Sequence, residues 1–211
     1  VLKLNPAFVK AFVAQALSRL AMGRASEARA TYAKLETMSD AGRSTAAAGL
    51  ADLLIYQGRL AEAASVLEPA IATEKDPSRQ ARLIVTLAEV RVLQGRARDA
   101  IDLARKAMRA SKGYDVEFLA GRVLADCGQT DQALEIVTKL LQRFDAESLM
   151  CARVLEGEVA LRKNDPRKAI QRFNTARQFA DSWLVRYGLG RAYLQADAAA
   201  EADSEFDLCV K

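Results

Sequence analysis

The 211 residues include no histidine, so the commonest general base and metal ligand at neutral pH is absent. The charged residues that recur at regular intervals are Asp52, Glu89, Arg122, Glu158 and Arg191, with steps of 37, 33, 36 and 33 residues. Three of them are carboxylates, the groups that a hydrolase pairs as acid and base. Such a pair must flank one bond, however, and these recur one per interval without a glycine-rich phosphate loop or a nucleophile motif. No catalytic residue is assigned, and no cofactor. Cys127, Cys151 and Cys209 are widely spaced, lack a CxxC pair and read as small core residues rather than as a disulfide framework or a metal site. The chemistry open to the charged row is recognition.

What positions that row is a ladder of small residues. An alanine recurs at Ala28, Ala63, Ala100, Ala133, Ala169 and Ala202, with steps of 35, 37, 33, 36 and 33. Five residues before each stands one that tolerates a left-handed turn: Gly23, Gly58, Gly95, Gly128, Asn164 and Asp197. Seven residues earlier again comes a small residue, at Ala16, Ala51, Ala88, Gly121, Gly157 and Gly190. Four after each ladder alanine lie Tyr32, Leu67, Ala104, Val137, Phe173 and Phe206, and three further on Leu35, Ala70, Ala107, Leu140, Ala176 and Cys209. That spacing is helical. Small residues on facing helices let two backbones approach closely, so enlarging one costs on the order of 1–3 kcal/mol.

The ladder predicts six antiparallel helix pairs: 7–21 with 25–38, 42–57 with 60–73, 77–94 with 97–111, 114–127 with 130–143, 147–163 with 166–179, and 183–196 with 198–211. The expected fold is all-α, a single solenoid array over residues 1–211 in which each unit buries its apolar face against its neighbours. Pro69 falls inside a second helix, where it removes a backbone hydrogen bond and is expected to bend the helix locally. Val1-Leu-Lys-Leu-Asn-Pro6 reads as the end of a helix, and 198–211 as a helix without a C-terminal cap. Both suggest a fragment of a longer protein.

In this register the units resemble the tetratricopeptide repeat (TPR), a helix-turn-helix of about 34 residues with a small residue in its first helix, a turn glycine, an alanine early in its second helix and an aromatic after it. Gly190-Arg191-Ala192-Tyr193 with Ala202 and Phe206, and Leu50-Ala51 with Gly58 and Ala63, match best, and the resemblance covers essentially the whole chain. It implies a right-handed α-solenoid whose first helices line a concave groove. The turn departs from the family's acidic helix cap in three units, which read Gly23-Arg24, Gly58-Arg59 and Gly95-Arg96.

On that resemblance the residue after each small position in the first helix faces the groove: Leu17, Asp52, Glu89, Arg122, Glu158 and Arg191. An apolar stripe flanks them, Val13, Ala48, Val85, Phe118, Val154 and Tyr187 on one side and Leu20, Ile55, Val92, Ala125, Leu161 and Leu194 on the other. The function implied is a protein-interaction scaffold that binds a peptide or helix in this groove, with Asp52, Tyr56, Glu89, Phe118, Arg122, Glu158, Tyr187 and Arg191 as its partner-binding residues. The charged row is expected to be dispensable for folding, and Trp183 to sit in the core or at a junction. The family also clamps C-terminal carboxylates with Lys and Asn, but the corresponding positions here, Val13, Leu17, Ala48, Asp52, Val85 and Glu89, carry neither. The alternative is a regulatory or sensor arm of a larger signalling enzyme, a kinase or cyclase, with its catalytic domain outside the fragment.

Composition narrows the other classes. The chain has 31 basic and 27 acidic residues, a net charge of +4, and 6% aromatics. The basic stretch 91–112 places Arg98, Asp102 and Lys106 at i,i+4 as on a solvated helix face, and no aromatics interleave for base stacking, so nucleic acid is disfavoured. No apolar run is long enough to span a membrane. Exposed ends of a truncated array leave a homo-oligomer open, and the compartment is open too, with the cytoplasm slightly favoured.

Overall fold

Turn chemistry punctuates the chain at one-repeat intervals. In the computed structural model, which describes residues 8–209, Gly23, Gly58, Gly95 and Gly128 adopt φ of 74°, 73°, 73° and 77°, and Asn164 and Asp197 take 58° and 59°. At each, the residue after the left-handed position donates its N–H back across the turn, as Arg24 does to the Arg19 carbonyl at 2.8 Å and Gln129 to that of Leu124 at 2.8 Å. This closure satisfies carbonyls that the helix end leaves free. Only glycine, or a short polar side chain, enters that conformation at low cost. Phe144 is also left-handed, at 59°, and highly exposed, a position outside the repeat pattern.

The described residues form twelve α-helices: α1 Val9–Ala21, α2 Ala25–Ala33, α3 Asp40–Tyr56, α4 Leu60–Thr73, α5 Pro77–Leu93, α6 Ala97–Ala110, α7 Tyr114–Asp126, α8 Thr130–Leu141, α9 Ala146–Arg162, α10 Pro166–Phe179, α11 Trp183–Gln195 and α12 Ala199–Cys209. Two of the expected helices, 60–73 and 166–179, match to the residue, and most other ends fall within two residues. The exception is α2, which ends at Ala33; residues 34–38 continue as tighter turns closed by Leu35 N–H to Tyr32 O at 2.9 Å and Met38 N–H to Leu35 O at 3.2 Å. Helix α4 runs on for a turn beyond Pro69, and the Thr73 hydroxyl donates to the Pro69 carbonyl at 3.0 Å. The expectations for 1–7 and 210–211 lie outside the described residues.

Where the turn lacks an acidic cap, the arginine that occupies the cap position reaches forward. Arg59 Nε donates to Glu62 at 2.7 Å, and Arg96 Nε to Asp99 at 2.6 Å, placing a carboxylate in the first turn of α4 and α6. A negative charge there offsets the helix dipole. Ser39, Asp76, Asp145 and Asp165 instead cap α3, α5, α9 and α10 directly, each accepting the N–H three residues on at 2.8–3.0 Å.

Contacts divide the chain into two compact units, 1–111 and 112–211. In the first, α1–α6 form three helix pairs; α1 packs on α3 and α3 on α5, while α2 and α4 each pack on the first helix of the following pair. In the second, α7–α12 repeat this order: α7 on α9, α9 on α11, with α8 and α10 packing forward in the same way. Within each unit a helix thus touches its pair-mate and the adjacent pair, the arrangement of an all-helical solenoid. All six ladder alanines and all six small first-helix residues are buried.

At two of the three small-position glycines, Gly157 and Gly190, the aromatic ladder explains the residue, while Gly121 faces Leu155. The Phe173 ring, fully buried, lies between α9 and α11: a Cβ built on Gly157 would sit 2.7 Å from its Cζ, and one on Gly188 2.7 Å from its Cδ1 and Cζ. Phe206 packs on Gly190, and Tyr32 on Gly49.

A polar joint holds the first unit's second and third pairs together. Glu74, whose side chain is 3% exposed, accepts from Arg79 Nε at 3.0 Å and Nη2 at 2.9 Å, from the Asp76 N–H at 2.8 Å, and from the Ser44 hydroxyl of α3. The Arg79 hydrogen bonds, with those from Ser44 and the Asp76 amide, hold its carboxyl at about 2, against an ordinary 4.5. A carboxylate depressed by folding stabilises the fold above its unfolded pKa and loses that contribution as pH falls through the folded value. Glu74→Gln is therefore expected to cost ~2–3 kcal/mol at pH 7 in urea unfolding, with the gap to the parent closing between pH 4.5 and about 2.

Candidate functional site

The first helices carry the charged row, and packing within each unit decides which members still face water. In the first unit, Asp52 and Tyr56 lie one turn apart on α3, and Tyr56 is 75% exposed. Leu17, at the equivalent position of α1, is exposed as well. Asp52 combines exposure with dehydration: water reaches the side chain, yet enough protein surrounds it to push its carboxyl up to about 6. Burial raises the Tyr32 hydroxyl, and the charge of Asp52 raises it further. Among the described residues Asp52 has neither a hydrogen bond nor an ion pair. Glu89, on α5, is half-buried.

In the second unit the row divides. Glu158 is 3% exposed, and Arg122 Nε donates to both its carboxylate oxygens at 3.1 Å. The Arg122 guanidinium also lies over the Phe118 ring, 5.8 Å from its centroid. Phe118 is buried. Phe118 and Glu158, expected in the groove, are buried, and Arg122 is half-buried in the ion pair that joins α7 to α9. Against the expectation that the charged row is dispensable for folding, removing Arg122 is expected to cost stability. The supporting stripe changes likewise: Val85, Ala125, Val154 and Leu161 are all buried.

One turn further along both helices the same charge pairing recurs. Arg162 donates from Nε to Asp126 Oδ1 at 2.9 Å and from Nη1 to the Glu158 carbonyl at 2.9 Å. Spacing in the sequence carries the signal: Asp126 and Arg162 are separated by 36 residues, as are Arg122 and Glu158, so opposite charges one repeat apart mark neighbouring first helices. Beside this pair opens a cavity of about 340 Å³ lined by Asp126, Leu161, Arg162, Arg191 and Gln195. Gln195 Nε2 donates to the Leu161 carbonyl at 3.2 Å and to Asn164 Oδ1 at 2.7 Å.

Arg191 is held differently. Its guanidinium lies over the Tyr187 ring, 5.7 Å from the centroid, and it has no carboxylate partner among the described residues. Tyr187 is exposed and touches Phe206 with ring centroids 6.1 Å apart. Leu194, one turn on, is exposed too. Trp183, expected in the core or at a junction, is 66% exposed at the start of α11, where its carbonyl accepts from the Cys209 thiol. The cysteines are free thiols, with Cys151 buried and Cys127 and Cys209 half-buried. No group of three or more metal-ligating side chains gathers among the described residues, and none of their helices is long and apolar enough to cross a membrane.

Solved structures share this architecture. A tetratricopeptide repeat protein from Parabacteroides merdae aligns with a TM-score of 0.55 at 13% identity, over 95% of this chain and 78% of its own. The Cut9-Hcn1 hetero-tetramer of the APC/C aligns with a TM-score of 0.59 at 16% identity; it spans 99% of this chain, which covers only 41% of that one. BtubC from P. vanneervenii gives 0.50 at 18% identity, over 94% and 89%. At such identities the likeness concerns the fold. No curated protein matches by sequence. The tetratricopeptide repeat family model matches residues 13–79, 48–115 and 154–207, well over half of the chain. Repeats of this kind are in general non-catalytic scaffolds for protein partners. With its turn, alanine and aromatic ladders in register, the chain belongs to the tetratricopeptide repeat family.

Proposed function

We propose that this chain is a scaffold whose first-helix faces bind a peptide or a helix of a partner protein. One observation above all supports this reading: after folding has consumed Phe118, Arg122 and Glu158, Tyr187 and Arg191 on α11 still face water, as do Asp52 and Tyr56 on α3. The ring contacts of Tyr187 with Phe206 and of Arg191 with Tyr187 leave part of each side chain in water. Exposed aromatics beside charges that lack protein partners are the composition of interface anchors, where the ring supplies apolar area and the charge fixes register. Glu89, half-buried on α5, belongs to the same proposed face of the first unit.

Selection of a random twelve-residue peptide library against the whole chain tests the reading. Selected peptides are expected to bind the parent protein and to lose roughly five- to ten-fold in affinity with Tyr187→Ala or Tyr56→Ala, measured by calorimetry. A library that yields no binder, or binders indifferent to both substitutions, would overturn it.

A further inference from the structure

We infer that the cavity beside α11 takes the side-chain carboxylate of an acidic peptide segment, gripped by Arg191. This rests on the peptide-binding reading above and assigns the partner its chemistry. Of the polar groups lining the cavity, all but one are engaged. Asp126 is bound by Arg162, so these two charges cancel. Arg162 is held further by the Glu158 carbonyl. The Gln195 amide is spent on Leu161 and Asn164. One charge is left over: Arg191, held by its contact with the Tyr187 ring. A guanidinium lying over a ring keeps the donors at its edge free, and that planar fork matches the two oxygens of a carboxylate.

The surroundings favour a peptide over a free anion. At about 340 Å³ the cavity has room for a side chain as well as the charged head, and Leu161 contributes apolar lining. Exposed Tyr187 and Leu194 flank Arg191 along α11 and offer apolar contact to residues on either side of the acid. On α12, Glu205 is engaged by Arg186 at 2.8 Å and Arg177 at 3.4 Å. A polyphosphate chain fits poorly, because one uncompensated cation next to Asp126 cannot neutralise a run of phosphates. The cavity is open to solvent, which suits an internal side chain of a passing segment.

Three fluorescein-labelled heptapeptides separate the sources of the charge: an amidated Gly-Leu-Glu-Glu-Leu-Glu-Gly, the same peptide with glutamine for each glutamate, and that glutamine peptide with a free C-terminal carboxylate. Each is titrated by fluorescence anisotropy with the whole chain, parent, Arg191→Gln and Arg191→Lys. The parent is expected to bind the glutamate peptide roughly ten-fold more tightly than either glutamine peptide. That preference should vanish in Arg191→Gln and survive in part in Arg191→Lys, which keeps the charge but lacks the fork. Circular dichroism should show both variants folded, since Arg191 is held by its contact with the Tyr187 ring and joins no ion pair among the described residues. The inference is overturned by equal binding of the glutamate peptide to parent and Arg191→Gln, by a free C-terminus that restores full affinity, or by no binding of any heptapeptide. If library-selected peptides still bind through Tyr187 in that event, the peptide-binding reading stands while the acidic specificity falls.

Discussion

Truncating Phe173 to alanine is expected to destabilise the protein by ~3–5 kcal/mol, because the ring is fully buried between two first helices and its removal leaves a cavity between them. The glycines on either side make the converse prediction. Gly188→Ala would add a methyl 2.7 Å from Cδ1 and Cζ of the ring, and Gly157→Ala one 2.7 Å from Cζ on the other side. Alanine is otherwise the better helix former by about 1 kcal/mol, so propensity and overpacking oppose each other. A shift of a fully enclosed ring costs about 1–3 kcal/mol, and overpacking should win. Urea unfolding decides the sign. The double variant Gly188→Ala/Phe173→Ala should cost less than the sum of its parts, since the added methyl then enters the space the ring has left. If Gly188→Ala instead raises stability by the helix-propensity increment, Phe173 is not seated on α11.

Arg122→Ala should be nearly as damaging, at ~2–4 kcal/mol. It strands a carboxylate that is 3% exposed, and removing one partner of a buried pair costs far more than the pair itself contributes. The lower end of that range reflects Arg122's own partial exposure, which lets water screen the charge. Neutralising the stranded group separates cause from effect: Glu158→Gln in the Arg122→Ala background should recover much of the loss, seen as a higher unfolding midpoint than that of Arg122→Ala alone. An equal loss in the single and double variants would mean that Arg122 acts through its contact with Phe118 rather than through its charge.

Phe173 and Arg122 also mark the boundary of what was legible in the sequence. The left-handed ladder from Gly23 to Asp197 was readable because a backbone conformation restricts residue type directly. Helix spans followed from it, apart from α2, which gives way to tighter turns where the Leu35 carbonyl lies against Gly42, a closeness that no spacing rule encodes. Ladder glycines were readable as small, but not as seats for a ring, and Gly188, two residues outside the ladder, was missed. The five charged residues all lie on first helices, as their period implies. Which of them would pair was not readable, because that depends on side-chain reach between adjacent helices. Arg122 and Glu158 meet across α7 and α9, whereas Arg191 faces a cavity whose acid is already taken. The Glu74 joint was not readable because it brings Ser44 of α3 to the Glu74, Asp76 and Arg79 cluster at the junction of α4 and α5, thirty residues on. Trp183 ended exposed although large apolar rings usually contribute to a core.

If folding uses Arg122 and Glu158 and leaves Tyr187 and Arg191 for a partner, stability and binding must separate in a single variant. Melting temperature and affinity for a library-selected peptide, measured on the same Tyr187→Ala/Arg191→Gln preparation, test this most directly. The expected result is a melting temperature within about 4 °C of the parent, as for a loss of about 1 kcal/mol at a half-exposed ring that touches Phe206, together with at least a roughly ten-fold loss of affinity. Unchanged affinity, or a loss of affinity that merely accompanies unfolding, would contradict it.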